Sequence, residues 1–198
     1  MKSLNLSNTP VETLPFFPAT LEHINLSRMR HLNVQPARED ETYELPCLES
    51  FDCSGTAISH RLVKAMTLQS IKSGKLKKLC LGDRLTEFLP GTPVEDEYPP
   101  STSVRELSLA SLLIREGRIL EIIKLYPNLE RLDVSGTKIT GVAVKQLVQM
   151  GIKWLNLNEC GEVSPDAVEY ARGKGIDVQF NFPSRGGRMA SFRNASFI

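Results

Sequence analysis

The side chains best equipped for chemistry in this chain are Glu106, Arg131, Asp133, Trp154 and Asn156. Their spacing is regular. Glu106, Arg131 and Trp154 each stand two residues before a polar residue: Ser108, Asp133 and Asn156 respectively. An acid, a guanidinium and the chain's single indole suit recognition better than bond-making. Arg and Trp combine large desolvatable area with a polar handle, which is why they dominate binding hot spots. The pattern therefore predicts a protein partner contact centred on Arg131 and Trp154 and flanked by Glu106, Asp133 and Asn156. Two competing readings remain: Glu106 and Arg131 pairing across adjacent strands, or the chain's own tail covering Trp154.

Catalysis is poorly served. His23, His31 and His60 fall on different surfaces. The repeated Ser-Gly-Thr at 54–56 and 135–137 has no His or Lys at a fixed offset and no P-loop lysine. Cys47, Cys53, Cys80 and Cys160 form no C-x-x-C pair and have no histidine at finger-like spacing. No catalytic residue, metal or cofactor is expected. The thiols read as reduced, in a cytoplasmic or nuclear protein.

Residues two apart share a face only in an extended strand, so strands must position this set. An apolar-x-x-apolar-x-apolar hexad occurs as LEHINL (21–26), LESFDC (48–53), LKKLCL (76–81), VRELSL (104–109), LERLDV (129–134) and IKWLNL (152–157). MKSLNL (1–6) fits, and GIDVQF (175–180) fits loosely. Successive starts lie 20, 27, 28, 28, 25, 23 and 23 residues apart. The fourth and sixth places are apolar and must face a core. The third and fifth face away and form two ladders, with neighbouring strands about 4.8 Å apart. Strands are expected near 3–6, 23–26, 50–53, 78–81, 106–109, 131–134, 154–157 and 177–181.

Helical spacing follows several of them: Ile58, Leu62, Ala65 and Met66 in 58–71; Ile119, Ile122 and Ile123 in 114–125; Val144, Leu147 and Val148 in 140–150. Ser164-Pro165-Asp166 opens a fourth helix, ending near residue 172 before Gly173 and Gly175. The Ser-Gly-Thr triplets read as the turns that leave two strands, with Ser59 and Thr140 capping the helices that follow. Two stretches rich in proline and acids, 34–47 and 90–103, read as solvated irregular segments.

The chain has 198 residues and a net charge of +1. That balance recruits neither nucleic acid nor a membrane surface, and the small cluster of Lys72, Lys75, Lys77 and Lys78 lacks interleaved aromatics. No apolar run approaches the roughly 18 residues of a membrane span.

The six clear hexads resemble the leucine-rich repeat over nearly the whole chain. The resemblance implies an α/β leucine-rich-repeat solenoid: a right-handed arc over residues 1–183, of seven to eight units. A parallel sheet would line its concave side, with helices or irregular loops on its convex side. Residues 135–140 (SGTKIT) and 158–164 (NECGEVS) are similar to the cysteine-containing subclass. Cys160 supplies the namesake thiol, and Thr56 and Thr137 stand where others would be. That subclass is common in F-box proteins. The resemblance therefore implies a non-enzymatic interaction module, serving as the substrate-recognition repeats of an F-box-like ubiquitin-ligase receptor. The alternative is a stand-alone scaffold or inhibitor that recruits no ligase. No F-box is present in the sequence, and no capping segment precedes the first hexad. Both points fit a piece of a longer protein whose missing N-terminal region would reach ubiquitin-ligase components. The tail, 184–198, carries RMASF and RNASF in tandem. Arg three residues before Ser marks Ser191 and Ser196 as candidate phosphorylation sites.

Overall fold

The computed structural model describes residues 1–32, 43–81 and 98–181, together with the backbone of Leu85–Thr86 and residue Val94. Each hexad contributes one three-residue strand. These are β1 (Ser3–Asn5), β2 (His23–Asn25), β3 (Ser50–Asp52), β5 (Lys78–Cys80), β7 (Glu106–Ser108), β8 (Arg131–Asp133), β9 (Trp154–Asn156) and β10 (Asp177–Gln179). They form one eight-stranded sheet in chain order, with parallel pairing throughout. The register is in step, so equivalent residues stand side by side: Ile24, Phe51 and Leu79 are successive partners, as are Glu106, Arg131 and Trp154.

The central residue of each strand enters the core, and its neighbours look the other way. Ile24, Phe51, Leu79, Leu107, Leu132 and Leu155 are each at most 2% exposed. The core is one contiguous apolar cluster, reaching from Phe17 to Val178. Leu4, in the same slot at the first strand, is only half-buried, because β1 is an edge strand among the described residues.

Among the described residues four helices supply the other wall: α1 (His60–Lys72), α2 (Glu116–Lys124), α3 (Gly141–Gln149) and α4 (Pro165–Gly173). Their apolar stripes put Leu62, Met66, Ile119, Ile122, Val144, Leu147 and Val168 into the same cluster. Ser59 and Ser164 cap α1 and α4, accepting hydrogen bonds from the Leu62 and Ala167 amides. Thr140 departs from expectation. It occupies the cap position of α3, but its side chain makes no capping bond. Instead its amide donates to Glu116 Oε2 at 2.6 Å, so a carboxylate from the preceding helix ties the two units together.

A second small sheet was not foreseen. Ile58–Ser59 (β4) pairs in parallel with Leu85–Thr86 (β6) just before α1 begins. The proline-rich stretch also differs from a purely solvated loop, since Val94 and Tyr98 are buried in the core cluster. Proline limits backbone pairing but does not keep neighbouring apolar groups in water. The last strand, expected near 177–181, ends at Gln179.

The Ser-Gly-Thr turns have a shared geometry. Five residues after the start of six of these strands, the backbone turns left-handed: Asn8 (φ 57°), Arg28 (58°), Gly55 (70°), Ser111 (58°), Gly136 (67°) and Glu159 (61°). There the amides of Asn8, Arg28, Ser111, Gly136 and Glu159 donate to a carbonyl of the next unit, at 2.7–3.0 Å. Glycine relieves the left-handed strain at two of these places. At Gly136 it also makes room, because a Cβ would lie 2.9 Å from Ser111 Oγ. Gly136→Ala should therefore lower stability by about 1–2 kcal/mol. Repeating it in a Ser111→Ala background should restore the contact part and leave the backbone part, as read by urea unfolding. An unchanged midpoint for Gly136→Ala would show that this turn relaxes freely.

The next residue points inward. Thr56 donates to the Leu26 carbonyl and Cys160 Sγ to the Val134 carbonyl at 3.2 Å. Both reach back to the same place in the preceding unit. Thr137 bonds the Val134 carbonyl of its own turn at 2.7 Å. Threonine and cysteine thus do equivalent jobs at this slot.

Candidate functional site: the open face of the sheet

Opposite the core, the sheet presents two polar ladders. One runs Ser3, His23, Ser50, Lys78, Glu106, Arg131, Trp154 and Asp177. The other runs Asn5, Asn25, Asp52, Cys80, Ser108, Asp133, Asn156 and Gln179. All five residues singled out from the sequence stand here on three adjacent strands, β7, β8 and β9.

Trp154 is half-buried, and the Arg131 guanidinium carbon lies 4.4 Å from its ring centroid. The indole is therefore partly covered by the neighbouring strand's cation, an arrangement worth about 0.5–1 kcal/mol at an exposed site. Arg131 also faces Glu106, Nε to Oε1 3.9 Å, and Glu106 faces Lys78 at 3.6 Å. Pairing across the strands and stacking on Trp154 thus occur together. These ion pairs are long and about half-exposed, so they add little stability. They hold the face charged and ordered without saturating it.

Asp133 and Asn156 have a further role that their residue types alone do not show. Asp133 Oδ1 accepts the Ser135 amide at 2.9 Å, and Asn156 Oδ1 accepts the Asn158 amide at 3.1 Å. Asn5, Asn25 and Asp52 do the same for the residue two positions on. This side-chain turn shapes the exit from each strand. The signal was legible: Asn or Asp recurs at the fifth hexad place.

A shallow cavity of about 260 Å³ opens on the face, lined among others by Asp52, Lys78, Cys80, Glu106, Arg131 and Trp154. Asp52, Lys78 and Cys80 extend the site toward the middle of the sheet, beyond the five residues expected. They occupy the same ladder places, so the hexad register was the available signal.

Burial pushes the Cys80 thiol up to about 12, with the Asp52 carboxylate adding to it. Burial likewise raises Cys53 and Cys160, whereas Cys47 is exposed. Iodoacetamide at pH 8 should therefore alkylate Cys47 first, and the other three only with denaturant, as read by peptide mass spectrometry. Because the folded chain holds these thiol protons more tightly than the unfolded one, their contribution is complete below the ordinary thiol range. It is lost progressively as pH rises from about 9 toward 12.

His23 lies on the open face at β2, His31 follows that strand in a loop, and His60 is buried at the start of α1. Among the described residues no cluster of three or more His, Cys, Asp or Glu could hold a metal ion, and no helix is long and apolar enough to cross a membrane. Ser191 and Ser196 lie outside the described residues, as does the tail proposed as an alternative cover for Trp154. No protein-family model matches the chain, and no curated protein matches it.

Proposed function

We propose that this chain is a non-enzymatic protein-interaction module of leucine-rich-repeat type, and that its open sheet face binds a protein partner. The observation that carries the reading is the Arg131–Trp154 stack beside a cavity on a face that none of the described helices covers. A half-buried indole with a cation on it offers a partner both apolar area and charge. The specific form of the proposal is substrate recognition within an F-box-like ubiquitin-ligase receptor. It rests on the resemblance of 135–140 and 158–164 to the cysteine-containing repeat, and on the equivalent bonds made by Thr56 and Cys160.

The test is affinity capture from native extract by the wild-type chain and by Trp154→Ala/Arg131→Ala, with unfolding curves matched. Partners retained by the first and lost by the second support the site, and ligase adaptors among them support the receptor form. Identical captured sets would sink the site.

A further inference from the structure

We propose that Arg28, Arg30 and His31 form a second binding site, which takes a phosphate monoester carried on a side chain of a peptide partner. The three residues follow β2 in the run Arg28-Met29-Arg30-His31. Met29 is buried, which leaves both arginines and the histidine exposed around it. With Asn8, Thr9 and Pro10 from the turn after β1, they line a cavity of about 290 Å³. Two neighbouring units thus build one concavity with three cationic or cation-forming groups and, among the described residues, no acid in its wall.

Several cations elsewhere are matched to carboxylates: Lys2 to Glu22, Lys77 to Glu49, Lys153 to Glu130 and Arg172 to Glu169. Among the described residues no carboxylate pairs with Arg28, Arg30 or His31. Arg28 is also held in place. Its backbone is left-handed (φ 58°), its amide donates to the Ser54 carbonyl at 2.8 Å, and its Cγ lies 3.2 Å from where a Cβ on Gly55 would stand. The bare face of Gly55 is what lets the Arg28 stem lie there. A guanidinium whose stem is already packed loses less freedom on pairing.

The chemistry favours a phosphate monoester over a carboxylate. Two planar guanidinium forks, an imidazole and the Asn8 side-chain amide supply more donors than one carboxylate can use, whereas a dianionic phosphate has three acceptor oxygens. The setting favours a peptide over a lipid surface. The wall offers no large apolar group to insert, and three cations fall short of the roughly four to eight that mark membrane attachment. A polar cavity of about 280 Å³, lined by Ser3, Asn5, His23, Asn25 and Ser50, opens on the sheet beside these turns. A peptide lying over that cavity would bring a side chain to the arginines.

The experiment is an amide NMR titration of the intact chain with O-phosphoserine blocked at both ends. Blocked serine is the reference, and vesicles containing a phosphoinositide are a separate arm. Saturable shifts at Asn8, Thr9 and Arg28 to His31 are expected with the phosphorylated probe only. Arg28→Ala/Arg30→Ala should weaken them at least about tenfold. Gly55→Ala, which removes no charge but displaces the Arg28 stem, should weaken them measurably. Lys145→Ala, an equal loss of charge on α3, should not. The remaining spectrum reports folding in each variant. Shifts that fail to saturate, or wild-type affinity in the double arginine variant, overturn the proposal. So does vesicle binding without phosphoserine binding.

Discussion

Phe51→Ala should destabilise the chain by about 3–5 kcal/mol, the largest loss expected of any single truncation on the sheet. Phe51 is fully buried at the centre of β3. Ile24 and Leu79 stand beside it in register on the strands to either side. Truncation removes the ring's transfer free energy and leaves a cavity that two fixed strands cannot close. Leu4 offers the control within the same motif. It holds the equivalent place on β1 but is only half-buried, so Leu4→Ala should cost no more than about 1 kcal/mol. For a chain of 198 residues, each 1 kcal/mol moves the thermal midpoint by roughly 2–4 °C. Urea and thermal unfolding of both variants should separate them clearly. Equal losses would mean that β1 is packed as fully as β3, against the burial seen here.

Trp154→Ala should weaken binding of the captured partner by at least about thirtyfold, with little change in stability. The ring is half-buried on the open face and its backbone stays paired to β8 and β10, so folding does not depend on the indole. Arg131→Ala should cost less on its own. Because the guanidinium sits 4.4 Å from the ring centroid, the two substitutions should not add: the double variant should lose less than the sum of the singles. Calorimetric titration of all four proteins closes the cycle. Strict additivity would mean that the stack is not the unit the partner reads, and unchanged affinity in Trp154→Ala would remove the site.

The two substitution sets also divide the surface. Arg28 and Arg30 sit on the turn after β2, and Arg131 and Trp154 on β8 and β9. A partner that needs both sets would span the sheet. One that needs a single set would identify which ladder end it reads.

Much of this molecule was already determined by its sequence. The hexads specify a strand wherever they occur, because only a strand puts the fourth and sixth places on one face and the third and fifth on the other. That local rule put Glu106, Arg131 and Trp154 at the same outward place of their strands, and it marked Leu132 and Leu155 as core. The capping serines Ser59 and Ser164 were equally legible, since a cap is a contact within four residues. What the tertiary structure alone decided are contacts between units, whose sequence separation carries no periodic signal. The Thr140 side chain makes no capping bond, and its amide donates to Glu116 of the preceding helix. Ile58–Ser59 found Leu85–Thr86, and Tyr98 folded into the core from a stretch that composition marks as solvated. The same holds for the two places of most functional interest. The sequence lists Arg131 and Trp154 twenty-three residues apart and Arg28 twenty-seven before Gly55. Only the in-register stacking of strands and turns sets one guanidinium on an indole and lays the other across a glycine.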